Sequence, residues 1–410
     1  MSGPKSPASE VVLLLPKVDC EDPVVSIVVP AMNEEITISE FVQWCHEGLL
    51  KSAVEGEILI VDSSTDATAE LALAAGARVL KVPRRGLGRA YIDALPFVRG
   101  RWIIMGDADC TYDFRQLAPF VAEFERGKTF VMGSRWKGSI QKGAMPPHHQ
   151  YFGTPVTTWI LNRLYGSHFT DIHCGMRGIE RGAFIRMQLQ SQSWEYASEM
   201  VLKSVHMDLD TAEVPVYFLK DRDGRVSHHR REGWFSPFKA AWINLRAMFV
   251  YGTDFFALMP GLVLLLLGLL LSIPLTFGPV TVGAVTFSLY WHFFALVMSS
   301  LGAVGLGIGA VSRVLFDYTG RHRKFWLRLV SYNRTVVLAL VMSLAGIALG
   351  LPLVSEYLVN GLQLPSGQLS ASHLGLTGLL LIVLGSTMFV FTLLIHAAVL
   401  ASRFHPEEGS

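Results

Sequence analysis

The stretch Val24-Val25-Ser26-Ile27-Val28-Val29-Pro30-Ala31-Met32-Asn33-Glu34 places five β-branched residues in its first six positions and then turns polar at Asn33-Glu34. A run this short and this rich in valine and isoleucine predicts a strand over 24–29 with a reactive carboxyl end. The pattern repeats outward. A helical stretch around 36–50 leads to a β-branched run at 58–61, one over 67–75 to 78–82, one over 88–98 to 102–105, and one over 114–126 to 130–132. Strand and helix in alternation predict a mostly parallel, doubly wound α/β sheet. Ligands of such sheets sit outside the carboxyl ends of the strands. Those ends read Pro30-Ala31-Met32-Asn33-Glu34, Asp62-Ser63-Ser64-Thr65-Asp66, Asp107-Ala108-Asp109 and Gly133-Ser134-Arg135.

Each end carries its own chemistry. Asp107 and Asp109, one residue apart after an apolar strand, can place two carboxylates on one hard cation, Mg²⁺ or Mn²⁺, with a diphosphate as the other partner. Asp62 can accept hydrogen bonds from a nucleobase or ribose, or cap the helix that follows it. Gly86-Leu87-Gly88, after Arg84-Arg85, lacks the third glycine of a dinucleotide fingerprint and follows the third strand, so it is expected to be a backbone turn near a phosphate. His148-His149, His173 and His228-His229 match no metal-ligand spacing and are expected at the surface or in hydrogen bonds. Glu195 and Glu199 lie one helical turn apart, as two groups facing an acceptor or as members of a structural ion pair.

The rest of the chain is of a different kind. Of 69 charged residues, 58 fall in 1–254 and 11 in 255–410, with none from Phe255 to Ser312. With 51% apolar residues and a mean hydropathy of +0.38, part of this chain belongs in lipid. Four apolar runs are long enough to cross a bilayer, roughly 255–276, 283–312, 335–356 and 373–402. Phe277-Gly278-Pro279 and Leu364-Pro365-Ser366-Gly367 break them with turn residues. Residues 313–334 instead carry Arg313, Arg321, Arg323, Lys324, Arg328 and Arg334 against Asp317 alone, while the other two connections have no Lys or Arg. The positive-inside rule places that loop, the polar half and both termini in the cytoplasm of a multi-pass protein. Gly305 and Gly309, and Gly346 and Gly350, have the spacing that lets membrane helices approach closely.

The domain plan expected is a loose tail over 1–23, a catalytic domain over 24–232, an amphipathic juxtamembrane helix over 233–254, four membrane helices over 255–402 and a tail over 403–410. In the juxtamembrane segment Trp234, Phe238, Trp242, Leu245 and Phe249 recur at helical spacing, an aromatic face suited to a lipid surface or to packing on the catalytic domain. Residues 11–15 are too short an apolar run for a signal peptide. Net charge +1 gives no electrostatic footprint for nucleic acid. Four scattered cysteines without a CxxC pair fit a reducing compartment.

Taken in order, Val28-Val29-Pro30-Ala31-Met32-Asn33-Glu34, Val61-Asp62 with Ser64-Thr65-Asp66, Arg85-Gly86-Leu87-Gly88-Arg89-Ala90, Asp107-Ala108-Asp109 and Gly133-Ser134-Arg135 resemble a family 2 glycosyltransferase of the GT-A fold over roughly 24–228. The chain is most similar to the dolichol-phosphate mannose synthase and polyprenyl-phosphate glycosyltransferase group. Asp171-Ile172-His173-Cys174-Gly175-Met176-Arg177, Glu213-Val214-Pro215-Val216 and Arg222-Asp223-Gly224-Arg225-Val226-Ser227 agree with it. The resemblance implies a nucleotide-sugar site from Pro30, Ala31, Asn33, Glu34, Asp62, Ser64, Arg85, Gly88, Asp107, Ala108 and Asp109. It implies a catalytic set of Asp107, Asp109 and Arg135, with the metal on the two aspartates. An acceptor-phosphate site would draw on Ser134, Arg135, Arg177, Arg222, Ser227 and His228. The chain departs from the family pattern at Ser63, where an acid is usual, at Thr111, where a glutamine is frequent, and at His228, which replaces a lysine.

The expected activity is inverting transfer of one sugar from a UDP- or GDP-sugar to a polyprenyl phosphate, undecaprenyl or dolichyl, at the cytoplasmic leaflet. A lipid phosphate is already ionised at neutral pH, so positioning can replace a general base. The QxxRW string of processive polysaccharide synthases does not occur. Two alternatives stay open: transfer to a lipid hydroxyl, with Asp171 or Glu199 as base, and a membrane scaffold or flippase subunit without activity. A homo-oligomer is left open as well.

Overall fold

The computed structural model describes residues 11–147, 149–193, 195–222, 224–225, 246, 252–317, 321–363 and 369–401. The chain folds as two units, Met1–Met248 and Phe249–Ser410. The expected tail 403–410, Ser227, His228 and nearly all of the expected helix 233–254 lie outside the described residues.

The first unit follows the order β1 (Val12–Leu14), β2 (Val25–Ala31), α1 (Ile38–Lys51), β3 (Gly56–Asp62), α2 (Thr68–Ala74), β4 (Arg78–Lys81), α3 (Leu87–Ala94), β5 (Trp102–Met105), α4 (Ala118–Glu125), β6 (Phe130–Ile140), α5 (Thr154–Tyr165), β7 (Arg177–Glu180), α6 (Arg181–Met187), α7 (Tyr196–His206) and β8 (Thr211–Phe218). Among the described residues, eight strands of this unit form one sheet in the order β1-β4-β3-β2-β5-β7-β6-β8. The block β4-β3-β2-β5 is parallel. Strand β2 stands in its middle, and its apolar residues are buried because helices cover both faces of such a sheet. Helix α1 buries Ile38, Phe41, Val42, Cys45 and Leu49, a stripe at helical spacing.

Three features differ from the sequence reading. Val12–Leu14, expected in a loose tail, pairs antiparallel with β4, where a short apolar run meets an open sheet edge. Strand β7 enters antiparallel between β5 and β6. Its sequence, Arg177-Gly178-Ile179-Glu180, offers one β-branched residue and no strand signal. Strand β6 runs on to Ile140 past an irregularity between Ser134 and Ser139, so Gly133-Ser134-Arg135 lies within a strand and not beyond one. Pro215 is tolerated in β8 because β8 is an edge strand.

Among the described residues, the second unit has four helices long and apolar enough to cross a membrane, Phe256–Leu275, Leu289–Leu315, Tyr332–Val359 and Ala371–Leu400. Its elements are α8 (Met259–Leu275), β9 (Val280–Val282), β10 (Val285–Phe287), α9 (Leu289–Leu315), α10 (Arg321–Leu329), α11 (Tyr332–Val359) and α12 (Leu369–Ala401). The second span starts six residues later than expected, since Val285–Phe287 pairs with Val280–Val282 in a hairpin turned at Gly283, φ +61°. The glycines act as close-approach sites with one exception. A Cβ on Gly309 would stand 2.5 Å from that of Leu258, and one on Gly346 would stand 2.4 Å from the Gly378 carbonyl oxygen, whereas one on Gly350 would meet nothing within 4 Å. His292 and His373 are buried and share a hydrogen bond of 3.0 Å between their Nδ1 atoms, with Ser272 Oγ 3.0 Å from His292 Nε2. Such contacts replace the missing hydrophobic drive between helices in lipid.

Candidate active site

Register brings the polar loops together. Ala31 stands opposite Asp62 across β2 and β3, and Val28 opposite Met105 across β2 and β5. The loops that leave these strands therefore start side by side. Asn33, at φ +58°, donates its N–H to Ser64 Oγ at 2.8 Å, and its Oδ1 accepts from Thr65 N at 2.9 Å. Glu34 N donates to Thr68 Oγ1 at 2.9 Å. Thr37 Oγ1 donates to the Ala108 carbonyl at 3.0 Å, tying the start of α1 to the Asp107–Asp109 turn.

Asp62 is 1% exposed; its Oδ1 accepts from Ser64 N at 3.2 Å, while Oδ2 is buried without a hydrogen-bond partner. Burial pushes its pKa up against the pull of Ser64. A buried carboxylate oxygen lacking a donor is costly, and a ligand N–H or O–H placed there would relieve it.

Asp109 Oδ1 accepts from Thr111 N at 2.9 Å and from Thr111 Oγ1 at 2.5 Å. Its Oδ2 lies 3.4 Å from Arg225 Nη2. Burial raises the Asp109 pKa, opposed by Arg225 and then by Thr111. Asp107 faces Gly175, where an added Cβ would come within 2.6 Å of Asp107 Oδ2. Gly175 thus keeps space clear beside the carboxylate. Among the described residues no cluster of three or more His, Cys, Asp or Glu side chains is poised around a metal ion. Two hard carboxylates nevertheless fit Mg²⁺ or Mn²⁺, which keep waters and substrate phosphates as their other ligands. The histidine reading holds at His173, whose Nε2 shares a hydrogen bond of 2.9 Å with Thr157 Oγ1.

Arg225 is the residue that the sequence reading quoted without a role. Its Nε and Nη2 donate to both Glu34 oxygens at 2.7 and 2.8 Å, and Nη1 reaches Asp221 at 2.6 Å. Its side chain is 4% exposed, and the three acids hold its pKa above the usual arginine value although burial opposes them. Glu34 and Arg225 stand 191 positions apart in sequence, so no local pattern announces the pair.

The other expected residues fall into separate places. Arg135 forms a buried fork with Asp171, Nε to Oδ2 at 2.6 Å and Nη2 to Oδ1 at 2.8 Å. Ser134 Oγ shares a 2.6 Å hydrogen bond with Thr170 Oγ1. Arg222 pairs with Glu40 on α1 and lies over the Trp44 ring at 5.2 Å. Arg177, expected at the acceptor phosphate, is fully buried on the interior strand β7, where it donates to the Cys174 carbonyl at 2.6 Å and the Ala197 carbonyl at 3.0 Å. Its guanidinium serves the core. Gly86 and Gly88 also have a packing role: a Cβ on either would stand 2.2 Å from the carbonyl oxygen of Gln192 or Ser191. These glycines let α3 pack on the 191–193 chain, and Arg85 turns to Asp93 at 3.1 Å. Glu199 is a structural ion pair with Lys203 at 2.6 Å that also accepts from Gln190 N and Ser191 N.

Residues 26–187 match the family described as glycosyl transferase family 2, and residues 308–399 match the family 2 C-terminal transmembrane region. The low-salt glycan biosynthesis hexosyltransferase of Haloferax volcanii is 34% identical over 346 residues, 83% of this chain and 81% of that protein. The chain belongs to glycosyltransferase family 2. It is accordingly a glycosyltransferase with a GT-A catalytic domain and an integral membrane domain of four helices. The dolichyl-phosphate hexose transferase of the same organism is 28% identical over 175 residues, 42% of this chain and 72% of that one. Among solved structures, mannosyl-3-phosphoglycerate synthase from Rubrobacter xylanophilus matches at 22% identity and TM-score 0.42, covering 55% of this chain and 72% of that one.

Proposed function

We propose that this family 2 glycosyltransferase moves one hexose from a UDP- or GDP-sugar to a polyprenyl phosphate, dolichyl or undecaprenyl, at the cytoplasmic leaflet. The observation that carries the reading is the convergence of Asp62, with its unpartnered oxygen, and the Asp107–Asp109 turn on adjoining loops. Asp62 Oδ2 accepts a hydrogen bond from the nucleoside, Asn33 and Ser64 fix the loop around it, and Asp107 and Asp109 would hold a divalent cation. That cation, when bound, supplies charge neutralisation for the departing nucleoside diphosphate. An acceptor phosphate oxygen forms the new bond to the anomeric carbon as the bond to the diphosphate oxygen breaks, inverting the centre in one displacement.

The carboxylates support a phosphate acceptor over a hydroxyl. Asp171 is spent on Arg135, and Glu199 on Lys203 and two backbone amides. Neither of these two is therefore free to act as the base that a hydroxyl needs, whereas an ionised phosphate needs none. Asp171 and Glu40 engage Nε and Nη2 of Arg135 and Arg222, which leaves each Nη1 edge outside the ion pair for a phosphate oxygen. The name of the Haloferax dolichyl-phosphate hexose transferase supports the same acceptor class.

The test is incubation of the detergent-purified protein with undecaprenyl or dolichyl phosphate and labelled UDP- and GDP-sugars. Label should enter the lipid phosphate with Mg²⁺ or Mn²⁺ present. Transfer to a lipid hydroxyl alone, or hydrolysis without any lipid product, would sink the proposal.

A further inference from the structure

The segment between the second and third spans folds into α10, Arg321–Leu329, a helix with three distinct faces. Trp326, 7% exposed, points inward and joins a buried cluster with Ala310 and Val314 of α9, Leu258 beside α8, and Ile395, Ala398 and Val399 of α12. Leu258 lies at the start of the first span, while the α9 and α12 residues lie at the ends of theirs, so α10 is fastened across one end of the bundle. A second face shows Phe325 and Leu329, four residues apart and 58% and 63% exposed. The third shows Arg321, Lys324 and Arg328, spaced three and four apart and all exposed.

From this geometry we infer that α10 is an interfacial helix that binds the headgroups of anionic phospholipids, with Phe325 and Leu329 inserted among the upper acyl carbons and Arg321, Lys324 and Arg328 on the phosphates. The charge argument is direct. Residues 321–329 hold four Lys or Arg and no acid, whereas the connections at the other end of the bundle hold no Lys or Arg at all. The neighbouring acid, Asp317, accepts from the backbone N–H of Arg323 at 2.6 Å, holding the helix start. An exposed apolar stripe beside a cationic stripe is the pattern of a helix lying in the headgroup plane, where stems of Lys and Arg cover apolar surface while their heads meet anions. Each basic residue at an anionic leaflet adds about a fivefold preference. The inference rests on the four-helix membrane domain and is independent of which sugar or acceptor the catalytic unit uses.

The experiment places the full chain in phosphatidylcholine vesicles with trace spin-labelled phosphatidylglycerol or spin-labelled phosphatidylcholine and reads their relative association with the protein surface. The wild type should prefer phosphatidylglycerol. The preference should fall on the order of a hundredfold in the R321Q/K324Q/R328Q variant, three residues at about fivefold each. R321K/R328K keeps the charge and should keep the preference, which guards against a variant that merely misfolds. A nitroxide attached at Leu329→Cys should collide with oxygen and be shielded from a water-soluble nickel chelate. Equal association of both lipids with the wild type would overturn the inference, as would an undiminished preference in the glutamine variant or a water-exposed label at 329. Selective binding of polyprenyl phosphate without phosphatidylglycerol would overturn it too, and would assign the helix to the acceptor.

Discussion

Single side chains in the catalytic unit are set by charges that cannot stand alone. Asp109 keeps its side chain 16% exposed and is partly balanced by Arg225, so its carboxylate can still meet a cation. Asp109→Asn keeps the shape and removes the charge that a hard ion needs. Transfer should fall to background and Mn²⁺-dependent nucleotide binding should be lost, while circular dichroism stays unchanged; normal turnover with Mn²⁺ would refute the metal assignment. Arg225→Gln is predicted to act differently. It leaves Glu34, 3% exposed, beside Asp109 without its counter-charge and should destabilise the catalytic unit by about 3 kcal/mol. Because a divalent cation can then replace the missing positive charge, Mn²⁺ should raise the melting temperature of the variant more than that of the wild type. An equal shift in both would show that Arg225 does not balance the metal-side acids.

Elements are joined by buried polar ties that the strands hold in place. Glu57 on β3 accepts from Ser26 Oγ of β2 at 2.6 Å, from Arg78 of β4 at 2.5 Å, and from Arg99 N and Nε at 2.8 and 2.7 Å. Burial alone would push its pKa up, but Ser26, Arg99 and Arg78 outweigh it and hold the carboxyl below the ordinary glutamate value. A lowered folded-state pKa gives stability that is complete above the unfolded value, about 4.3, and is lost as pH falls through the folded one. The catalytic unit should therefore lose stability in acid below about pH 4.3. Glu57→Gln should be weaker by about 3 kcal/mol at pH 7 and show a flatter acid limb in urea titrations at several pH values. A variant with the wild-type acid limb would remove Glu57 as its cause.

For the molecule as a whole, the prediction concerns sidedness. Six basic residues in 313–334, against none in the other two connections between spans, predict that this end of the bundle faces the cytoplasm. In intact cells a cysteine at Arg323 should resist a membrane-impermeant thiol reagent, and one at Gly361 should react. The reverse pattern would put the catalytic unit on the other side of the membrane from its proposed nucleotide-sugar pool.

The sequence by itself determined the parallel block of the sheet, the loops at its carboxyl ends and the four spans, because each is written in a local pattern. A strand shows its β-branched run, and a span shows about 20 apolar residues. What only the tertiary structure decided is what meets across distance. Strand β7 carries no strand signal and exists through its pairing with β5 and β6. Gly86 and Gly88 read as a turn near a phosphate, and the fold adds that they pack against the 191–193 chain, a contact that only the neighbour reveals. Arg177 and Arg225 were indistinguishable as arginines in motif-like strings. One faces interior carbonyls and the other faces Glu34 and Asp109, because an arginine's role is fixed by the acceptors that folding brings to it.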